Sequence, residues 1–203
     1  MDRIDDFFRE QPERFGNTPT KLVMYMARRL APGAQVLDVG AGQGRDTLAL
    51  AKLGLRVDAV DLSREALSQL SEAAMQQGLQ TIRTWVGNVA EMPLPEDIYE
   101  AMCCVNALHF FSFEHGKEFI ERCQRATKPG GLHSISVISE APAGFMSDPG
   151  VTFHPWKETD LRNLYADWSI EVCKPFTTQT VDLSEQGQKS SLQLIAFMAK
   201  KPI

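Results

Sequence analysis

Several protein classes are excluded by what this 203-residue chain has little of. No apolar run approaches the roughly 20 residues needed to span a bilayer. The acidic start, Met1-Asp2-Arg3-Ile4-Asp5-Asp6, lacks the apolar core of a signal peptide. A cytoplasmic protein with no membrane partner is therefore expected. Basic charge is also scarce: 21 Lys and Arg stand against 26 Asp and Glu, giving a net charge of −5 and a pI near 5.4. Nucleic-acid binding draws on clustered cations, so no nucleic-acid partner is expected. The four cysteines, Cys103, Cys104, Cys123 and Cys173, form no C-x-x-C pair and have no histidine at zinc-finger spacing. Buried free thiols and no metal site follow.

What is present is a globular composition, 43% hydrophobic and 23% charged, of a length that suits one domain over residues 1–203. Its organising stretch is Gln35-Val36-Leu37-Asp38-Val39-Gly40-Ala41-Gly42-Gln43-Gly44-Arg45. Val36, Leu37 and Val39 suit a buried parallel strand, and the three glycines allow a sharp turn into which a ligand can come close. A second apolar run ends at Asp61, near the spacing of roughly 20 residues that sets a ribose-binding acid at the next strand end. A nucleoside-containing ligand is implied. The turn spacing is G-x-G-x-G, not the G-x-G-x-x-G of dinucleotide sites, and Asp38 two residues before it would repel a pyrophosphate. An acid there suits a ligand with an ammonium group and no phosphate, as in S-adenosylmethionine.

The rest of the chain alternates strand and helix. Two helical pieces occupy residues 1–30 as a cap, with a turn-rich link that includes Phe15. Helices are expected over Arg45–Leu53, from Ser63 to Gln77, over Glu114–Ala126 and over Glu158–Ala166. Strands are expected at Thr81–Val86, Tyr99–Val105, Leu132–Ile138, Trp168–Val172 and Ser191–Lys200, the last two antiparallel around a turn at Ser184–Gln188. Such alternation gives a parallel sheet covered on both faces. Ligands in such sheets bind beyond the carboxyl ends of the strands at the switch point, which puts Asn106 and His109, after the fourth strand, near the reacting group. The loop over residues 140–157 overhangs the same edge.

Asp38, Gly40, Gly42 and Gly44 match the D/E-x-G-x-G-x-G motif, and the chain resembles the class I S-adenosylmethionine-dependent methyltransferases. The Lys128-Pro129-Gly130-Gly131 turn before the fifth strand is another mark of that family. The resemblance implies a Rossmann-like α/β fold with a seven-stranded, mostly parallel sheet of order 3-2-1-4-5-7-6, strand 7 antiparallel and helices on both faces. S-adenosyl-L-methionine is the implied cofactor, held by Asp38, Gly40, Ala41, Gly42, Gly44, Arg45, Asp61, Leu62, Asn88, Val89 and Asn106. Asn88 and the Val89 amide are implied at the adenine. His109 is the candidate catalytic residue, and Phe110, Phe145, Phe153, His154 and Trp156 are the candidate walls of the acceptor pocket.

Within class I, Gly42-Gln43-Gly44-Arg45-Asp46, the Cys123–Gly131 run and the Glu158–Trp168 segment look like the tellurite-resistance methyltransferases. That likeness implies a small-molecule acceptor that is a soft nucleophile, such as a thiol or a selenium or tellurium species, in a monomer or homodimer. The chain departs from the pattern where a His-Arg pair is replaced by Val181-Asp182 and a later Arg by Lys189. Two rival functions stay open: a catalytically silent S-adenosylmethionine-binding regulator and an NAD-dependent oxidoreductase.

Overall fold

The computed structural model describes residues 2–11, 16–89, 91–141, 153–181 and 189–203. Strand β1 (Gln35–Val39) lies inside the sheet, paired in parallel with β2 (Arg56–Asp61) on one side and β4 (Tyr99–Val105) on the other. β3 (Ile82–Val86) continues the sheet beyond β2, and β5 (Thr127–Glu140) lies beyond β4. β7 (Lys189–Lys200) runs antiparallel to both β5 and β6 (Ser169–Val181), completing the order β3-β2-β1-β4-β5-β7-β6.

Alternation along the strands divides the core. Val36, Val57, Ala101, Cys103 and Leu132 meet Val23 and Met26 of α2 (Lys21–Ala27) and Leu50 of α3 (Arg45–Lys52). Leu37, Val39, Val60, Met102 and Ile135 face the opposite way, toward Phe119 and Ile120 of α5 (Phe113–Ala126) and Leu161 of α6 (Glu158–Leu164). α4 (Arg64–Gln76) packs Leu67 and Leu70 against Ala59. Its expected cap is present: the Ser63 hydroxyl accepts the Ala66 N–H at 3.0 Å, satisfying a donor that the first turn leaves unpaired. α1 (Asp2–Glu10) lies against α4.

Two strand boundaries differ from the sequence-based expectation by more than two residues. β6 continues past Val172 to Val181 because β7 supplies an antiparallel partner all along it, from Ser169↔Lys200 to Val181↔Lys189. Pro175 interrupts the strand signal in sequence, yet an edge strand tolerates a missing N–H. β5 starts at Thr127, not Leu132, since Tyr99 pairs Thr127 before a register shift admits the Lys-Pro-Gly-Gly segment. The turn expected at Ser184–Gln188 lies outside the described residues, apart from the strand start beside it.

The β3–β4 connection, residues 87–98, carries no helix among its described residues. Here the sheet face is closed by a polar cluster. Asp58, 3% exposed, accepts two hydrogen bonds from Arg83 at 2.7 and 2.8 Å and one each from Tyr99 and Gln35 at 3.0 Å. A buried carboxylate needs this many donors to offset its lost hydration.

A second buried cluster pins the start of β5. Thr127 donates to the Cys123 carbonyl at 2.7 Å, so its oxygen takes the proton of His133 Nε2 at 2.7 Å, and Tyr165 donates to His133 Nδ1 at 2.6 Å. Burial pushes the His133 pKa down to about 3, which keeps the imidazole neutral in this chain of bonds.

Candidate active site

A cavity of about 850 Å³ opens at the carboxyl ends of β1 to β4, beneath α1. Its floor is the glycine turn, and each glycine is required for its own reason. A Cβ on Gly40 would stand 2.3 Å from the Ala107 Cβ, so the turn and the β4 exit would collide. One on Gly44 would stand 2.2 Å from Leu70 Cδ1, forcing α3 from α4. Gly42 has space, with Phe8 at 3.7 Å, but its φ of +52° strains other residues. Gly44, at φ +85°, is the residue that starts α3.

Two carboxylates hold this turn. Asp61 ends β2, where its oxygens accept the Gly42 N–H at 2.8 Å and the Ser63 N–H at 2.9 Å. Burial raises its pKa against the effect of those bonds. Asp38 is 3% exposed and accepts the Thr47 hydroxyl at 2.5 Å and the Cys103 thiol at 3.3 Å. Its pKa rises to about 6, first through burial and then through the neighbouring Asp46. Asp38 is thus held as a carboxylate at neutral pH only against its desolvation, the condition in which a bound cation is most welcome.

Around the predicted Arg45, a set of residues that sequence reasoning missed ties the N-terminal segment to the turn. Asp46 accepts the Thr20 N–H at 2.6 Å and its hydroxyl at 2.8 Å. Arg45 donates to both Thr20 and Asp46, at 2.8 and 2.9 Å. On the other side Gln43 donates to the Gln11 carbonyl and to Gln69, and Gln69 donates to the Phe8 carbonyl. Asp5 accepts the Ser63 hydroxyl at 2.6 Å. The only sequence signal for this arrangement was the apolar face of α1 that carries Phe8; single hydrogen-bonded pairs across tens of residues leave no periodic trace. Arg45 Nε and Gln43 Oε1, both in residues that line the cavity, are buried with no partner among the described residues. Buried polar atoms left unpaired are uncommon and mark places where a ligand completes the bonding.

Asp38, Gly40, Ala41, Gly42, Arg45, Asp61, Leu62, Asn88, Val89, Asn106 and Phe110 all line the one cavity, and Gly44 sets its shape from behind. Asn88 donates to Glu91 at 3.1 Å. The other acceptor-side residues fall elsewhere. His109, expected at the reacting group, is 1% exposed and lies behind the wall, its ring 4.4 Å from that of Phe110 and 5.5 Å from that of Phe153. Its Nδ1 has no partner among the described residues, and burial pushes its pKa down to about 3. The turn Leu108–Phe110 is a 3-10 helix whose apolar Leu108 enters the core, and this rotation carries His109 inward with it. Trp156 is a core residue too, 1% exposed, with its ring seated on Gly116 of α5, where a Cβ would come within 2.5 Å. His154 is joined to the same turn by its N–H, which donates to the His109 carbonyl at 2.8 Å. Phe145 lies outside the described residues.

The sheet order with helices on both faces is a Rossmann-like fold shared with methyltransferases, and the cavity lies at the carboxyl edge where such sheets bind ligands. Residues 36–131, from β1 to the start of β5, match the methyltransferase-domain family. The chain is 28% identical over 197 residues to hemagglutinin 1 of Eikenella corrodens, covering 97% of this chain and 63% of that protein. In structure it resembles TehB from Haemophilus influenzae, with a TM-score of 0.77 at 22% identity, over 97% of this chain and 66% of that one. It also resembles the 1,6-didemethyltoxoflavin-N1-methyltransferase of Burkholderia thailandensis, solved with bound 1,6-didemethyltoxoflavin and S-adenosylhomocysteine. That match has a TM-score of 0.72 at 21% identity and covers 100% of this chain and 86% of that one. The chain spans under two thirds of the length of the curated relatives it matches. No helix among the described residues is long and apolar enough to cross a membrane.

Proposed function

We propose that the chain transfers the methyl group of S-adenosylmethionine to a small-molecule acceptor that is already nucleophilic when it binds, with a thiolate or a comparable selenium or tellurium species as the class. The observation that carries this reading is the make-up of the cavity at the β4 exit. Val105, Asn106, Ala107, Phe110 and Phe111 line it, and none of them can take a proton near neutral pH. His109, the nearest imidazole of that turn, is buried behind them and held neutral. An amine or alcohol acceptor would need a base in reach; a thiolate does not.

When bound, S-adenosylmethionine would supply a sulfonium methyl carbon that a lone pair of the acceptor sulfur can bond, the electron pair of the old S–CH₃ bond staying with the sulfur of S-adenosylhomocysteine. The thiol proton has already gone to solvent. This chain's own residues contribute placement: Asp61 and Asn88 support the nucleoside reading, Asp38 supports an ammonium beside the turn, and the phenyl rings of Phe110 and Phe111 exclude water from the reacting line. The Val181-Asp182 and Lys189 departures argue for thiols over oxyanions as acceptors. Methyl transfer from labelled cofactor across thiols, selenite, tellurite, halides and small carboxylates tests this. Turnover is expected on the soft nucleophiles. A protein that binds S-adenosylhomocysteine and methylates none of them would support the silent regulator instead.

A further inference from the structure

Asn106, placed at the sequence level with the cofactor residues, has a geometry that suits another partner. It is one of two non-glycine residues with positive φ among the described residues, at +56°. That left-handed conformation is tolerated by Asn better than by most side chains. It persists here because two bonds to one β5 residue fix it: the Asn106 N–H donates to the Ser136 carbonyl at 2.8 Å, and the Ser136 hydroxyl donates to Asn106 Oδ1 at 3.1 Å. Ser136 is itself 5% exposed, so the anchor is rigid. With Oδ1 facing β5, the side chain presents its amide nitrogen, whose two protons have no partner among the described residues, and the residue lines the cavity beside Ala107, Phe110 and Phe111.

The cofactor reading places the nucleoside at the ends of β1, β2 and β3. Asn106 follows β4, on the side left for the acceptor. A fixed N–H donor there is matched by an acceptor molecule that carries its own hydrogen-bond-accepting atom beside the nucleophile. The two cationic side chains among the described lining residues are Arg45, already paired with Asp46, and Lys52 on α3. Neither belongs to the β4 exit, so a second anion on the acceptor, beyond the thiolate itself, would lack compensation and a neutral carbonyl fits better. We infer that Asn106 is a specificity-determining residue that donates to a neutral carbonyl of the acceptor, making the substrate class a small, largely apolar thiol with a carbonyl next to the sulfur. This rests on the methyltransferase reading of the same site.

The test compares two probes that differ in that group, methyl thiosalicylate with an ester carbonyl ortho to its thiol, and thiophenol without one. Asn106→Gly removes the amide while keeping a residue at ease with the left-handed backbone, and Asn106→Asp replaces the donor by an acceptor. For both variants kcat/KM on methyl thiosalicylate is expected to fall three- to tenfold, the span of one neutral hydrogen bond. Thiophenol is expected to change less than twofold, with S-adenosylhomocysteine affinity kept. Equal losses on both probes, or a loss of cofactor affinity that tracks the loss of rate, would overturn the assignment and give Asn106 to the cofactor. A wild-type protein that binds S-adenosylhomocysteine but does not methylate the thiosalicylate ester would also overturn it, leaving the methyltransferase reading standing. Failure to bind S-adenosylhomocysteine at all would sink that reading itself.

Discussion

The two ends of the cavity are built in different ways. At the cofactor end, backbone does the shaping: three glycines at positive φ, two of them pressed against Ala107 and Leu70, and N–H groups of Gly42 and Ser63 gathered by Asp61. At the acceptor end, side chains do it, and their placement depends on how a 3-10 turn and a loop settle on α5. Replacements at the first end should therefore cost binding, and replacements at the second end that reach the core should cost folding.

The largest expected effect is on the second end. Trp156→Ala removes a fully buried indole resting on Gly116 and should destabilise the fold by about 3–5 kcal/mol, with S-adenosylhomocysteine affinity little changed in the protein that remains folded. Chemical denaturation beside calorimetry checks this. A Trp156→Ala protein of normal stability and impaired turnover would return the residue to the acceptor wall.

Asp38→Asn sharpens the contrast because it separates stability from binding. The carboxyl's pKa in the fold, about 6, exceeds its ordinary value of 3.8. Ionisation therefore costs stability: the cost is absent below about pH 3.8, grows as pH rises and is complete above about pH 6. The Asn variant should be more stable at pH 7.5 by about 2–3 kcal/mol, equal to wild type near pH 4, and weaker in binding the cofactor. Denaturation midpoints at the two pH values decide it; a variant less stable at both would show that Asp38 serves the fold.

Asp61→Ala should weaken cofactor binding by about 1.5–3 kcal/mol per charged hydrogen bond lost, with the sheet kept and only the turn loosened where the Gly42 and Ser63 N–H groups lose their acceptor. An Asp61→Ala protein that binds unchanged would break the account of the cofactor end.

How much of this was legible follows the same division. Glycines forced by φ and by contact, and carboxylates placed at strand ends, leave marks at fixed spacing, so Asp38, Gly40, Gly42, Gly44 and Asp61 could be read before any coordinates. The sheet order was legible through the same family marks. His109 and Trp156 could not be placed: their types suggest chemistry or a pocket wall, but burial was settled by Leu108 entering the core and by Gly116 leaving a seat for the indole. Asp46, Thr20 and Gln69 were silent because a polar pair across tens of residues has no local pattern. The sequence-based β6 is too short because Pro175 interrupts the strand signal.

The smallest expected effect concerns His109. Its pKa in the fold, about 3, lies below its ordinary 6.5, so its contribution to stability is full above about pH 6.5 and is lost as pH falls toward 3. His133 behaves alike. His109→Phe should then remove about 1–2 kcal/mol of the acid destabilisation seen between pH 7 and pH 5, and the rate profile of the wild type should show no step from this imidazole in that range.

The central claim, that the carboxylate before the glycine turn selects an ammonium-bearing nucleoside over a pyrophosphate, is tested most directly by calorimetric titration of the unmodified protein with S-adenosylhomocysteine and with NAD. Binding heat from S-adenosylhomocysteine and none from NAD is predicted. Micromolar binding of NAD with no heat from S-adenosylhomocysteine would contradict it.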